Sequence, residues 1–585
     1  MEPAASQTRF VAAASLAELP EGASRTVTLE GNVIALFNSG GQIFAVDNRC
    51  PHMGFPLDRG TVKDCILTCH WHHARFDLAT GGTFDQWADD VRAFPVKIEA
   101  GEIMVDLAEH RDLRRHYLAR LGDGLERDIP LVIAKSVIAL SARDEGGAVA
   151  TFRAGLDFGV AHRRDGWGAG LTTLTCMMNL LPSLEAQDRQ RALYQGLSSV
   201  AADCDGNPPR FMVRPLPGAH SASASTLKGW LRSFVEVRDA EGAERCITSA
   251  VRGGIPAREV ADMMFAAATD HRFLTGGHVL DFTNKAFEAL DHAGWDRADG
   301  VLASLARSYA TADRMEEANA WRSPVDLVAI VEQAFGGIAD ALAAGRRAEG
   351  SWPGREALAD VILGDDPQAI ADSMLAALRE GCSPADLGGA AAYAASVRIA
   401  RFHVSNEFGD WDTAHHSYTF SNAVHQALRR APSVELIRGA FDAAMSVYLD
   451  RFLNIPMTRI PRGNNGASRP PAELIEALPS LLNLQQQVNE VAAIVAEYFA
   501  ASSSDGGKLI AAIGHAMLRE DRDFHTIQDL EAAVRQYSML PRGGGANVMI
   551  STARYLAAHS PTVRAQGQTY QIAERLFRGD RLFEE

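Results

Sequence analysis

Two short stretches decide how the first part of this chain folds: CPHMG at residues 50–54 and CHWHHARFD at residues 69–77. Each contains a cysteine with a histidine close behind it, although the 585-residue chain has only seven cysteines. A [2Fe–2S] cluster in which two imidazoles replace two thiolates on one iron needs one cysteine and one histidine from each of two loops. The spacing therefore predicts a cluster held by Cys50, His52, Cys69 and His72. A zinc site with two cysteines and two histidines is the alternative, although its usual spacings differ.

The residues around the two cysteine boxes resemble the Rieske family. The family patterns C-x-H-x-G and C-x-W-H-x-x-x-F-D are met here at the flanking positions Gly54, Trp71, Phe76 and Asp77. The resemblance covers residues 8–107 and implies a small β domain whose [2Fe–2S] cluster passes single electrons. His70 and His73 stand where the family more often has proline and glycine, and we expect both to be surface or loop residues.

The same resemblance predicts a low reduction potential. Rieske proteins of high potential carry an additional cysteine pair and hydroxyl groups that hydrogen bond to the cluster sulfurs. The matching positions of this chain have neither group: Phe55, Trp71, Ala74 and Phe76. Because hydrogen bonds to the sulfurs raise the potential, we expect a value toward the low end of the range, about −150 mV.

Composition excludes several classes of protein. The chain has 57 Lys and Arg against 73 Asp and Glu, a net charge of −16 without a basic block, so nucleic-acid binding is not expected. No apolar run approaches the roughly 20 residues that cross a bilayer, and the N-terminus lacks a signal-peptide pattern. Few, widely spaced cysteines argue against a disulfide framework. We expect a soluble cytoplasmic protein that does not bind membranes.

The pattern of apolar residues changes near residue 108. Before it, short alternating or apolar runs predict strands, with hairpin turns at Ser39-Gly40-Gly41 and at Ala100-Gly101. After it, apolar residues recur at three- and four-residue spacing, which predicts helices. The predicted fold class is a small all-β domain followed by a large all-α domain with internal helical repeats. The predicted domains are residues 8–107, a helical connector at 108–130 and an all-α domain at 131–585.

Three histidines recur in similar contexts within the helical part. The segments beginning at His278 and His416 align, since each histidine is followed by phenylalanine and asparagine at the same spacing. A third copy has His525 in the equivalent place. We expect each histidine near a helix start, with the residue three positions later on the same face: Asp281, Thr419 and Gln528. Repeated imidazoles of this kind can surround one metal, and iron suits both imidazole and a nearby cluster.

These segments also resemble the questin oxidase-like family. That resemblance implies a mostly helical fold, a mononuclear non-haem iron and oxygenative cleavage of aromatic polyketides. It assigns His278, His416 and His525 as ligands and suggests His162, in AHRRDGWGAG, as a fourth. Some members have a lysine three positions after the last histidine, where this chain has Gln528.

Three functional hypotheses follow from these motifs. In the first, the chain is an oxygenase in which the cluster passes electrons to a histidine-held iron. In the second, it is an electron-transfer protein whose helical domain is an interaction scaffold. The third is an atypical ring-hydroxylating oxygenase, suggested by NEFGDWDTAHH, although Asp410 lies much farther from His72 than in that family.

The hypotheses imply partners as well. A ferredoxin or flavin-dependent reductase would supply electrons, and a homo-oligomer would allow transfer between subunits. An apolar cavity near Trp167, Phe282 or Trp411 would suit a hydrophobic or aromatic small molecule. Lys285 is expected to pair with Asp281 at i, i+4 or to act at the site.

Overall fold

The chain divides into two compact units. The structure, a computed structural model, describes residues 8–142, 146–218, 222–346, 352–463, 469–501, 506–580 and 582. The first unit comprises Met1–Ala154 together with Gln566–Glu585, and the second comprises Gly155–Ala565. The predicted fold class is confirmed, because β-strands end at Asp106 and a large helical region follows.

Three antiparallel sheets form the β part of the first unit. The strand orders are β1-β10-β9, β2-β3-β4-β8 and β5-β6-β7. The first cysteine box follows β4, and the second lies between β6 and β7. The strands are β1 (Phe10–Ser15), β2 (Ser24–Leu29), β3 (Asn32–Ser39), β4 (Gln42–Asp47), β5 (Thr61–Lys63), β6 (Ile66–Thr68), β7 (Arg75–Asp77), β8 (Ala93–Phe94), β9 (Val96–Glu99) and β10 (Glu102–Asp106).

Both predicted hairpins are present. Strand β3 passes to β4 through Gly40 and Gly41, with φ of 65° and 77°, and β9 passes to β10 through Ala100 and Gly101, with φ of 50° and 83°. Two-residue turns with positive φ at both positions match the twist of the flanking strands. These turns therefore fix the pairing register of the strands, and the register determines which alternate side chains face the core.

Helices complete the first unit: α1 (Leu113–Glu126), α2 (Pro130–Ser141) and α24 (Ala565–Arg578). Helix α1 begins at Asp112, whose carboxylate accepts the Arg115 N–H (3.0 Å). Helix α2 starts with Pro130, because the fixed φ of proline suits the first position of a helix. The boundaries predicted at 107 and 130 fall inside this unit, which continues to Ala154.

In the part of the second unit that the structure describes, all regular secondary structure is helical. Its helices are α3 (Gly147–His162), which contains the point of division, α4 (Ala169–Leu180), α5 (Ala186–Cys204), α6 (Ala224–Glu236), α7 (Ala240–Arg252), α8 (Ala257–Ala268), α9 (His278–Ala293), α10 (Ala298–Ala303), α11 (Ala306–Thr311), α12 (Asn319–Arg322), α13 (Leu327–Gly345), α14 (Arg355–Ile362), α15 (Pro367–Arg379), α16 (Pro384–Ala400), α17 (Phe408–Arg430), α18 (Val434–Leu449), α19 (Pro471–Leu481), α20 (Val488–Ala501), α21 (Gly507–Leu518), α22 (Phe524–Tyr537) and α23 (Arg542–Ala558). Helix α17 packs against both α9 and α22, which brings the three repeat segments together.

Helix α13 has the length and composition of a membrane span, contrary to the expectation from sequence. Its buried residues form one stripe that includes Val331 and Ile338, while Glu332 and Asp340 are exposed on the other side. The helix packs against α15 and α18. This pattern is typical of an amphipathic helix that covers the core of a globular unit.

Candidate functional site

The two cysteine loops have the same backbone frame. In the first, the Cys50 N–H donates to the carbonyl oxygen of Phe55 (2.8 Å), and in the second the Cys69 N–H donates to that of Ala74 (2.8 Å). In both loops the acceptor lies five positions after the cysteine. Each loop is therefore closed into a tight turn that can present a thiol and an imidazole from a fixed backbone.

The fourth position after each cysteine has left-handed backbone. Gly54 has φ of 83° and donates its N–H to the Cys50 carbonyl (2.7 Å); His73 has φ of 63° and donates its N–H to the Cys69 carbonyl (3.0 Å). Glycine adopts this conformation without strain, whereas a side chain is disfavoured there. His73 is exposed, in agreement with its prediction as a loop residue.

The four predicted ligand side chains converge. Cys50 and Cys69 are buried, and a hydrogen bond between their thiols lowers the pKa of Cys69 to about 6 while it raises that of Cys50. The rings of His52 and His72 meet edge to face, with centroids 4.8 Å apart. Two sulfurs and two imidazoles thus lie on facing loops, which is the donor set that such a cluster needs.

His52 provides a specific test of this fit. Its Nδ1 is buried without a hydrogen-bond partner among the described residues. Burial, followed by the charges of Lys135 and His72, lowers the pKa of His52 to about 4, so the ring is neutral at pH 7. A buried, unpartnered lone pair is costly unless it binds something, and a neutral imidazole nitrogen is a metal ligand. The residues present therefore fit the cluster.

The three repeat histidines also converge, within the second unit. One ligand atom each from His278, His416 and His525 lies within 4.8 Å of the others, and the Nε2 atoms of His416 and His525 are 3.1 Å apart. Desolvation, and after it neighbouring histidine charges, lowers the pKa of His278 to about 3 and those of His416 and His525 to about 4. All three rings are neutral at pH 7 and can donate lone pairs to one cation.

The repeat does not place every histidine at a helix start. His278 is the first residue of α9 and His525 the second of α22, as predicted. His416 lies about two turns into α17, so that expectation is wrong for this copy. A capping box formed by Glu407 and Asp410 starts α17 earlier than the repeat implied. Asp410, the residue behind the ring-hydroxylating hypothesis, thus serves as a helix cap.

His162, the suggested fourth ligand, lies elsewhere. The three-histidine group found among the described residues does not include it. Its Nδ1 is 3.1 Å from the Phe158 carbonyl oxygen, and its ring stacks on Phe158 with centroids 4.3 Å apart. The end of α3 therefore satisfies this imidazole locally, and the prediction that it joins the other three is wrong.

Two of the residues three positions after the histidines, Asp281 and Gln528, connect helices α9 and α22. The Gln528 amide of α22 donates to the carboxylate of Asp281 on α9. Burial raises the pKa of Asp281 to about 7. Thr419 hydrogen bonds within its own helix, to the His415 carbonyl (3.2 Å). One turn beyond Asp281, Lys285 pairs with Glu288 (3.0 Å) and Glu531 (2.5 Å), not with Asp281 as expected.

His415 was named in neither predicted ligand set, and it lies beside the group. It is fully buried, both ring nitrogens lack hydrogen-bond partners among the described residues, and its ring centroid is 5.1 Å from that of His525. Its Nδ1 lies 3.5 Å from the Asp529 carboxylate. Neighbouring carboxylates of this kind orient histidines around metal centres.

A cavity of about 520 Å³ lies beside His416. Its polar lining residues include Asp450, Arg451 and Ser417, whose hydroxyl donates to Asp450 (2.6 Å), and burial raises the pKa of Asp450 to about 7. The aromatic residues suggested from sequence do not line it; Trp167, for example, is buried and donates its Nε1–H to Thr172 (3.0 Å). The walls are mainly apolar and include Phe273, Met315, Trp321, Val325, Tyr448 and Phe452.

Comparison with known proteins covers the β part of the chain. Residues 9–95 match the Rieske [2Fe-2S] domain. The chain is 35% identical over 101 residues to the ferredoxin component of the naphthalene 1,2-dioxygenase system of Pseudomonas aeruginosa, covering 17% of this chain and 97% of that one. It is 36% identical over 99 residues to the 3-phenylpropionate/cinnamic acid dioxygenase ferredoxin subunit of Escherichia coli K12, covering 17% and 92%. The solved structure of the Sphingomonas yanoikuyae B1 ferredoxin is 27% identical, with 17% of this chain and all of that one covered and a TM-score of 0.17. Through this N-terminal region, the chain belongs to the Rieske [2Fe–2S] family.

Proposed function

We propose that the chain is an oxygenase in which the Rieske cluster passes electrons to a mononuclear non-haem iron of the helical unit. The observation that carries the proposal is the convergence of His278, His416 and His525 beside an apolar cavity. The resemblance of these segments to the questin oxidase-like family supports it. Cys50, His52, Cys69 and His72 are the proposed cluster ligands.

The helical residues suit this role in three ways. Their imidazoles are neutral at pH 7, which leaves lone pairs free for a metal. A cavity with mainly apolar walls can hold a hydrophobic or aromatic molecule beside His416. An iron bound by three histidines would supply open coordination positions for oxygen chemistry.

We infer the source of the electrons from the proteins that this chain resembles. Those relatives are ferredoxin components of dioxygenase systems. We infer that a ferredoxin or flavin-dependent reductase reduces the cluster of this chain as well. Joining the electron carrier to the catalytic unit in one chain replaces a separate encounter for each electron with an intramolecular one.

Iron analysis of the full-length chain tests the proposal. The whole chain is required because the first unit draws on residues up to Ala154 and from Gln566 onward. We expect one iron beyond those of the cluster, lost in His278→Ala or His416→Ala while the Rieske paramagnetic signal persists. His162→Ala is the matched control and should keep all the iron, since His162 lies outside the group.

A second function has one observation in its favour. Gln528 replaces the lysine found in some questin oxidase-like proteins, and its amide is occupied by Asp281. If the helical unit is instead a scaffold, the chain is an electron-transfer protein, and no iron should be found beyond the cluster. The same iron analysis therefore separates the two functions.

A further inference from the structure

A single lysine from outside the β sheets reaches the first cluster loop, which is the loop at residues 50–55 that carries Cys50 and His52. Lys135 is the one charged residue of α2, PLVIAKSVIALS. Its ammonium donates hydrogen bonds to the carbonyl oxygens of Pro51 and of His52 (3.1 Å). Both acceptors belong to the first cluster loop, so a full positive charge is fixed against that loop.

No carboxylate of the described residues forms a salt bridge with this ammonium. Asp89 acts on Lys135 through its charge, yet it is already paired with Arg120 (3.1 Å) and His116 (3.3 Å). Carbonyl dipoles orient the Lys135 ammonium but do not cancel its charge.

We propose that Lys135 is a positioning residue that raises the reduction potential of the Rieske cluster above the value its apolar surroundings would give. Reduction adds one electron, converts one Fe(III) to Fe(II) and makes the cluster one charge more negative, with no proton required. A fixed positive charge in a partly buried site stabilises the reduced state more than the oxidised one. The two hydrogen bonds also hold the backbone that carries His52.

This inference rests on the proposed cluster ligands, and it predicts a potential above the low value expected from sequence. That expectation considered only groups within the two cysteine boxes, where no hydroxyl or thiol is available. Lys135 is 83 residues from His52 in the chain, so the motif could not include its charge.

An equilibrium redox titration of the full-length, iron-replete chain tests the inference. Lys135→Met should lower the midpoint potential, and Lys135→Arg, which keeps the charge, should remain near the wild-type value. Lys135→Gln keeps a donor without the charge and should also lower it, which provides a second comparison if the methionine variant does not hold the cluster. Lys97→Met, which removes a partly exposed lysine paired with Glu99 (2.8 Å), should leave the midpoint unchanged.

The outcomes separate this inference from the proposed function. A normal Rieske signal with equal midpoints in the wild type and the charge-removing variants would overturn the role of Lys135 alone. Absence of any Rieske signal in the wild type would overturn the cluster itself. A fall of the midpoint in Lys135→Met and Lys135→Gln, but not in Lys135→Arg, establishes the charge as the cause.

Discussion

At the scale of single residues, Gly277 determines whether the three histidines can meet. It precedes His278 and has φ of 94°, in a region that favours glycine. A Cβ at this position would lie 2.7 Å from the Cβ of Phe420 and 3.0 Å from the Phe273 ring. Phe420 is one turn after His416 on α17, so the missing side chain lets α17 approach the start of α9.

Gly277→Ala should therefore weaken metal binding. The added Cβ must push Phe420 away and with it the helix that carries His416, and we expect metal affinity to fall by about tenfold or more. Gly276→Ala is the matched control, because Gly276 also has positive φ (63°) but would place its Cβ in open space. Isothermal titration of the iron-free protein with Fe(II) or a surrogate cation measures the difference. Equal losses in both variants would assign the effect to backbone strain.

The histidine group should also make stability depend on pH. Its pKa values of about 3 to 4 lie below the value of about 6.5 for an unfolded histidine. The unfolded chain therefore binds more protons between these values, so the stabilisation is present above pH 6.5 and is lost as the pH falls toward 4. Urea midpoints of metal-free protein should decrease between about pH 7 and about pH 5.

Variants identify which histidines make the urea midpoint depend on pH. His416→Gln should make the urea midpoint less dependent on pH, because one depressed histidine has been removed. His162→Gln removes a histidine outside the group and should keep the wild-type slope. A wild-type slope in His416→Gln would contradict the neutral state of this half-buried imidazole.

At the scale of elements, a buried ion-pair cluster holds α9 against α22. Lys285 of α9 contacts Glu288 on its own helix and Glu531 on α22. Arg535 also contacts both carboxylates, at 3.2 Å from Glu288 and 2.9 Å from Glu531. One turn nearer the histidines, Gln528 and Asp281 connect the same two helices. These contacts fix the register that places His278 beside His525.

Lys285→Met should destabilise the helical unit. Removing the lysine leaves two buried carboxylates whose remaining cationic partner among the described residues is Arg535. Breaking a buried pair costs about 3–5 kcal/mol. Urea unfolding followed by circular dichroism measures the loss, and adding Glu531→Gln should recover part of it. Arg469→Met removes an exposed pair with Glu497 and should cost less than about 1 kcal/mol. An unchanged free energy of unfolding in Lys285→Met would contradict the proposal that this ion pair holds α9 against α22.

At the scale of the whole molecule, the β unit depends on both ends of the chain. Helix α24 begins more than 450 residues after β10, yet it belongs to the first unit with the strands. Leu576 of α24 lies against Gly54, because a Cβ on that glycine would be 3.3 Å from the leucine side chain. Gly54 is part of the first cluster loop, so the C-terminal helix contributes to its surroundings.

A chain that ends at Ala565 should lose its cluster faster. Without α24, the Leu576 side chain that lies against Gly54 of the first cluster loop is missing. The decay of the visible cluster absorbance in the presence of a chelator measures the effect. Arg578→Ala, which removes an exposed side chain of the same helix paired with Glu574, is the control and should decay at the wild-type rate. Equal decay in the truncated chain and in this control would contradict a role for α24.

The sequence by itself determined the β domain, its hairpins, the four proposed cluster ligands and the three histidines of the helical unit. These features depend on short-range signals: fixed spacings, turn residues and apolar periodicity act over a few positions. Only the tertiary structure decided that His162 is excluded, that Lys285 pairs with Glu531, and that Lys135 and α24 reach the cluster loop. These contacts join residues far apart in the chain, and their partners are selected by packing, which no local pattern encodes.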